Sequence, residues 1–314
     1  WVLLGALLIA GTVLAVEYVT DRGISTFIGT LKGQVRGGAK SALNRGATVV
    51  SLLVWPALLL IGGCGPRRFI PVLLAVLAAM FLGDSLSTRA AIAASIAAAL
   101  LVAMLPRAGL AVIAAALALL MAVAPWAAGR IPDPHYTFQN WTWLPMSSHH
   151  RMTIWGFTGQ RIAEKPILGW GMEASRVMPD ADVEVQVWRY AADGSRTNLG
   201  LLEAQLPLHP HNAVLQVWLE LGAPGALVLL AALLAVLAAI DRRPAGDRLG
   251  RAAAAGSFAG ALVIATVSFG FWQSWWQSTL WLTAAFVVVG LAATAKNLPD
   301  MQTDRKNIRP SVSG

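Results

Sequence analysis

The sequence predicts an all-α polytopic membrane protein with about eight transmembrane helices and one long loop folded into a small helix-plus-hairpin cap. Three observations predict it. Of the 314 residues, 56% are hydrophobic and 13% charged, against about 25% charged in an ordinary soluble domain. Mean hydropathy is +0.61. The apolar residues fall into runs near the roughly 20 residues that cross a bilayer as a helix. This composition excludes a disordered chain, a coiled coil and a conventional soluble enzyme. A net charge of +8 would suggest nucleic acid in a soluble protein. Here it reads as basic loops at a membrane surface, and no nucleic-acid partner is expected. The single cysteine, Cys64, excludes an intrachain disulfide and a cysteine-cluster metal site.

Eight apolar segments stand out, at about 1–20, 47–63, 69–83, 86–105, 108–127, 212–240, 252–270 and 279–295. The first begins at Trp1 with no basic stretch before it. It reads as a membrane helix, not a signal-peptide core, and whether further helices precede it stays open. The 69–83 segment is short, so it tilts little or sits where the bilayer is thin. Pro106-Arg107-Ala108 is a tight turn joining its two neighbours. The chain therefore divides into N-terminal membrane helices over 1–127, a loop over 128–211, C-terminal membrane helices over 212–295 and a tail over 296–314.

Orientation follows from where the positive charge lies. With the long loop outside, the inner pieces carry 11 basic and four acidic residues, and the rest of the chain 13 and 12. That is net +7 against +1, so the long loop is placed outside. One segment resists this. Residues 21–46 fall outside by parity yet carry Arg22, Lys32, Arg36, Lys40 and Arg45 against Asp21. Two readings stand: a helix boundary is misplaced, or this loop meets an anionic lipid or diphosphate. Nine of the 13 tryptophans also fall at the outer face. Interfacial anchoring accounts for most of them, and aromatic faces also pack on sugar rings.

A loop of this length in a compact membrane protein is usually functional. Ser147 and Ser148 are placed to cap a helix running to about Lys165, before Pro166. Val183, Val185 and Val187 alternate with polar residues as a strand does. Ala192-Asp193-Gly194-Ser195 is a turn signal, and residues 196–202 return as a second strand.

No Gly-rich phosphate loop, His-Glu-x-x-His or Gly-x-Ser-x-Gly is present. All five histidines lie in the outer loop or its last turn. The most informative stretch is Leu206-Pro207-Leu208-His209-Pro210-His211-Asn212, with Gly222-Ala223-Pro224-Gly225 after an apolar helix turn. Upstream lie Asp84-Ser85-Leu86-Ser87-Thr88-Arg89 and Arg151-Met152-Thr153-Ile154-Trp155. The second is followed by Pro166-Ile167-Leu168-Gly169-Trp170-Gly171. In this order the three stretches resemble the signature of the O-antigen ligase family of membrane glycosyltransferases. The resemblance covers roughly 84–240, and the flanks only by hydropathy. It marks the superfamily, which also holds O-antigen or polysaccharide polymerases and protein O-oligosaccharyltransferases, without separating its members.

The resemblance implies a bacterial inner-membrane enzyme with its active site at the periplasmic face. It implies transfer of a glycan from an undecaprenyl-diphosphate carrier to an acceptor hydroxyl, that of lipid A–core in the ligases, with inversion and without a metal or other cofactor. The family histidine carries over to His211, and the essential arginines to Arg89 and Arg151. The residues support such chemistry on their own terms. A guanidinium pairs bidentately with phosphate and so stabilises a departing diphosphate. Histidine, with a pKa near 6.5, suits removal of the acceptor's proton. No carboxylate cluster is evident that would hold a metal.

Each residue also has a plainer reading. His211 reads as the base, or as an interfacial hydrogen-bonding residue. His209, two residues away and held extended by Pro210, ranks second and is placed with the substrate-binding set. That set also holds Arg161, Arg45, Trp155 and Asn212. Arg89 alternatively snorkels from the end of a span, and Arg151 alternatively lies on a solvated helix face. Asn212 orients His211 or caps the following helix. Gly222 and Gly225 serve close helix packing rather than substrate contact. Asp84 is a helix-entry residue or a second base. A transporter is the reading of another class, disfavoured because the spans hold almost no mid-membrane charge.

Overall fold

The computed structural model describes residues 2–32, 43–61, 85–244 and 246–296, together with Ile70, Val72 and Leu74. Cys64, Asp84, most of the 69–83 segment and residues 297–314 lie outside the described residues. Ten helices and one hairpin are described: α1 (Val2–Val19), α2 (Gly23–Leu31), α3 (Asn44–Ile61), α4 (Leu86–Met104), α5 (Pro106–Ala128), α6 (Pro134–Asn140), α7 (Met146–Glu164), β1 (Glu184–Tyr190), β2 (Arg196–Ala204), α8 (Ala213–Asp241), α9 (Arg248–Val267) and α10 (Ser274–Lys296). Seven of these, α1, α3, α4, α5, α8, α9 and α10, are long and apolar enough to cross a membrane. The chain is thus an all-α polytopic membrane protein.

Helix α9 is the centre of the bundle, packing along α4, α3, α8 and α10. Its Ala252 to Ala255 run is buried, and Gly256 and Gly260 press on Ser95 of α4, leaving no room for a Cβ. Small residues here let backbones approach closely, the usual driving geometry where lipid removes the hydrophobic incentive to pack. The starts of α3 and α4 meet, with Thr48 Oγ1 3.4 Å from Thr88 Oγ1, so these two helices run parallel. The described ends Ile61 and Ser85 therefore lie at opposite ends of the bundle.

At the far end, the basic residues assigned to the inner loops close helix C-termini. Arg251 donates to the carbonyls of Asp241 and Arg243, and Arg243 donates to that of Leu291 and pairs with Asp247. Cations on exposed C-terminal carbonyls offset the helix dipole.

The long loop forms the expected helix and hairpin. β1 and β2 pair antiparallel with Val187 opposite Gly200. Val187 and Leu202 are buried on Phe138 of α6, a short helix beyond the one helix expected in this loop. Helix α7 starts one residue before the expected serines. Its N-cap is Pro145, with no side-chain cap, and the Pro145 carbonyl accepts from Ser148 N and His149 N. A second unanticipated helix, α2, follows α1 and exposes Phe27, Ile28 and Leu31.

The expected span 212–240 is not one helix. Gly222 has φ 61 and ψ −156, a region open essentially to glycine alone. The break separates residues 213–221 from 223–241. The upper piece is deeply buried, with Leu215 and Leu219 packed on Ile154, Phe157 and Leu206 of the cap. The lower piece alone is about 28 Å long, close to the hydrocarbon thickness. The 166–171 loop stitches the break. Trp170 N and Gly171 N donate to the Leu219 and Glu220 carbonyls at 2.8 and 2.9 Å. Ala223 N, at the restart, donates to Pro166 O at 3.0 Å. Gly169, at φ +70, has Gly222 N within 2.7 Å of where a Cβ would stand. The close packing expected of Gly222 is therefore against a loop, not a helix. Gly225 has its near neighbour in its own helix, Leu221 across the break.

Candidate active site

The turn 207–212 runs from the hairpin into α8. Asn212 caps α8, its Oδ1 accepting from Leu215 N at 3.0 Å. Just before it, His211 adopts φ 54, a left-handed conformation uncommon outside glycine. Trp155 of α7 holds this conformation from the side, its Nε1 donating to Pro210 O at 3.0 Å.

The ring of His211 is oriented by a carbonyl. Nδ1 lies 2.6 Å from Ser268 O, at the end of α9. A peptide oxygen only accepts, so Nδ1 carries the proton and Nε2 bears the lone pair. Nε2 has no hydrogen bond among the described residues. Burial lowers the pKa of His211 from 6.5; the Ser268 carbonyl raises it, and Arg151 and His150 lower it further. The ring is neutral at pH 7, with a base nitrogen available.

His209 is used differently. Its Nδ1 accepts from His211 N at 3.2 Å, so Nε2 holds the ring proton. Nε2 lies 2.8 Å from Nε2 of Gln273; two donors cannot share this bond, so we assign the amide turned over, its oxygen toward the ring. Both nitrogens are engaged. Burial, then His211 and Arg176, push its pKa down to about 4. The two imidazoles meet edge to face at 4.2 Å, and Gly270 leaves room for the His209 ring.

Arg151 and Trp155 are four residues apart on α7 and share one face. Among the described residues the Arg151 guanidinium has no hydrogen bond or ion pair, and burial lowers its pKa. A half-buried cation with no anion beside it, acting on His211, is a ready site for one. His150, its neighbour, lies 3.2 Å from Ala204 O through Nε2.

The other predicted cations are spread along the same end of the bundle. Arg45 lies over the Trp275 ring at 5.4 Å, where α3 meets the start of α10. Arg89 is exposed on the first turn of α4. Neither is among the charges that act on His211. Arg161 is engaged within the cap, bonding Glu164 at 2.9 Å, Asp180 at 3.1 Å and Pro179 O at 3.2 Å.

Sequence reasoning missed the polar groups beneath the histidines. Glu220 is fully buried. Oε2 accepts from Glu173 N at 3.0 Å and Trp272 Nε1 at 2.6 Å. Oε1 accepts from Ser175 Oγ and from Gln216 Nε2, the latter at 3.1 Å. An open cleft beside them is lined by Glu173, Arg176, Leu208, His209, Trp272 and Gln273. Gln216 and Glu220, four apart in an apolar helix, were the available signal. Among the described residues no three His, Cys, Asp or Glu side chains converge as a metal would require.

The family model described as O-Antigen ligase matches residues 70–230, a stretch holding Arg89, α7, the histidine turn and the Gly222 break. Rickettsia typhi has a relative named "Putative polysaccharide ligase", 34% identical over 151 residues, 48% of this chain and 34% of the relative. Relatives of the same name in Rickettsia conorii and Rickettsia felis are 28% identical over 242 residues, 76% of this chain and 56% of each. The chain thus spans about a third to just over half of the length of these curated relatives. No solved structure matches it. With half of its length matched, including the turn that carries His211, the chain belongs to the O-antigen ligase family.

Proposed function

We propose that the chain transfers a glycan from a polyprenyl-diphosphate carrier to an acceptor hydroxyl, that of lipid A–core, at the periplasmic face of the bacterial inner membrane. The observation that carries this reading is the pairing of a neutral His211 with the half-buried guanidinium of Arg151, the His211 Nε2 and that guanidinium both lacking a hydrogen-bond partner among the described residues. Nε2 takes the acceptor's proton as its oxygen attacks the anomeric carbon. The bond from that carbon to the diphosphate breaks, and the diphosphate leaves with the electron pair. Attack from the face opposite the leaving group inverts the anomeric centre. Arg151 lies against the charge that grows on the leaving phosphate, with Arg89 and Arg45 at the same end of the bundle as further cations toward the carrier or anionic lipid. A fixed guanidinium fork supplies the stabilisation a metal would otherwise give.

Deleting the gene and resolving the lipopolysaccharide by gel tests the activity. Carrier-linked polymer with bare core is the expected result. A single repeat on core makes the chain a polymerase, and an unchanged ladder overturns the reading.

Arg151→Ala is expected to lower both the rate and the affinity for the carrier-linked donor, because phosphate charge is present before and during bond breaking. Arg151→Lys restores part of each, since a point charge lacks the fork. Steady-state kinetics in purified protein check this; a variant with unchanged rate and affinity removes Arg151 from the site.

Orientation has its own test. Ser147 and Ser195 are exposed on the cap. Cysteines placed there in a Cys64→Ser background are expected to react with a membrane-impermeant thiol reagent in outer-membrane-permeabilised cells. Labelling only after lysis reverses the topology.

A further inference from the structure

Four donors converge on one buried carboxylate, and they come from three parts of the chain. Glu173 N and Ser175 Oγ belong to the cap, Gln216 Nε2 to the upper piece of α8, and Trp272 Nε1 to the turn between α9 and α10. Among the described residues no arginine or lysine bonds Glu220. A carboxylate buried among neutral donors depends on each of them, because an unmatched buried polar group is costly. An amide in its place would present two acceptor lone pairs and two donors to a site built of donors.

The turn that Glu220 grips is the one that orients both histidines. Glu220 holds Trp272 directly. It also fixes the amide of Gln216, whose Oε1 accepts from Phe271 N at 2.7 Å. The same turn supplies Ser268 O to His211 Nδ1 and the Gln273 amide to His209 Nε2. A buried network of this kind loses more than one bond when one member is mismatched. Reading His211 as the base, we propose that Glu220 is a positioning residue: by anchoring residues 268–273 to α8 and to the cap, it fixes the His211 ring with Nδ1 protonated and Nε2 presented to the acceptor.

Glu220→Gln keeps the shape and turns one of the two acceptor oxygens into a donor. It is expected to lower kcat for glycan transfer about 10- to 100-fold, with KM for the polyprenyl-diphosphate-linked donor moving less than about threefold. The 15N spectrum of histidine-labelled protein gives a readout that loss of stability alone would not. His211 is expected as the Nδ1–H tautomer in the parent and in mixed form in Glu220→Gln, with the signals of His135 and His150 unmoved. Exchanging the pair, Gln216→Glu with Glu220→Gln, again matches donors to acceptors at Phe271 N and Trp272 Nε1. It is expected to recover kcat to within about threefold and to restore the tautomer. Where Glu220→Gln does not fold, Trp272→Phe removes one donor and leaves the carboxylate its other three. It is expected to lower kcat about 3- to 10-fold at constant KM and to shift the tautomer partly.

Parent-like kcat and tautomer in Glu220→Gln, or in Trp272→Phe where only that variant folds, overturn the positioning role. So does an exchanged pair as impaired as Glu220→Gln alone. Were the parent itself inactive in glycan transfer, the functional reading would fall, and the tautomer spectra would still decide the role of Glu220.

Discussion

His211→Ala is expected to lower glycan transfer by about 100- to 10,000-fold, the usual worth of a general base, while the carrier-linked donor still binds. The tautomer explains why one histidine of the pair should matter so much more. In His211 the ring proton is tied to Ser268 O and Nε2 has no partner among the described residues; in His209 both nitrogens are engaged. His209→Ala removes a support of the His211 backbone and is expected to cost about tenfold or less, in the range of one hydrogen bond.

The pH profile follows from the direction of the shift. The folded pKa of His211 lies below 6.5, so the acid limb of kcat/KM is expected at a lower pH than a free imidazole would give, with the rate falling as pH drops through the folded value. Stability has the same sign. A histidine whose folded pKa is depressed favours the native state above 6.5 and loses that contribution as pH falls through the folded value; for His209 the window runs from 6.5 to about 4. An inactive His209→Ala beside an active His211→Ala would transfer the role of base to the other ring. Full activity in both would place the base elsewhere.

Gly222→Ala is expected to destabilise the folded protein severely. An alanine at φ 61 and ψ −156 is strained by roughly 1–3 kcal/mol, and its Cβ would strike the Ile167 carbonyl. Pushing the loop away breaks the bonds from Trp170 N, Gly171 N and Ala223 N, each worth about 1 kcal/mol net. The sum is on the order of 4–6 kcal/mol against a typical total of 5–15. Thermal unfolding monitored by size-exclusion in detergent measures it. Gly5→Ala, where no atom lies within 4 Å of the added Cβ, is the control and is expected to leave the melting temperature at or above that of the parent. A normal melting profile for Gly222→Ala would mean that the break is not part of the folded state.

What was legible in the sequence was local. Apolar runs near bilayer length, the alternation around Val185 and Val187, and Asn212 ahead of an apolar helix all declare themselves within one element. The misses are long-range. Ser268 lies 57 residues beyond His211, in a stretch with no motif, so the ring's orientation could not be read from the histidine turn. Glu220 stood as a lone acid in an apolar run. Its four donors come from parts of the chain up to 52 residues away, and only the fold collects them. Gly222 was visible as a glycine, but a helix break inside a hydrophobic run leaves no trace in hydropathy. Helix α2 was hidden because Gly23–Leu31 lies between basic residues, which mask an interfacial helix in a window average.

The stitched break in α8 also sets an order of assembly. Chains are made from the N-terminus onward, so the 166–171 loop has been synthesised, and delivered to its side of the membrane, before residues 213–241 follow. The lower piece, 223–241, is long enough to be inserted as a helix by itself. The carbonyls of Leu219 and Glu220, left open by the break, meet waiting N–H groups as they arrive. A cap expressed without the membrane helices would keep those donors with nothing to receive them. The extramembrane and membrane parts of this chain thus mature as one unit, the earlier-made part serving as template for the later.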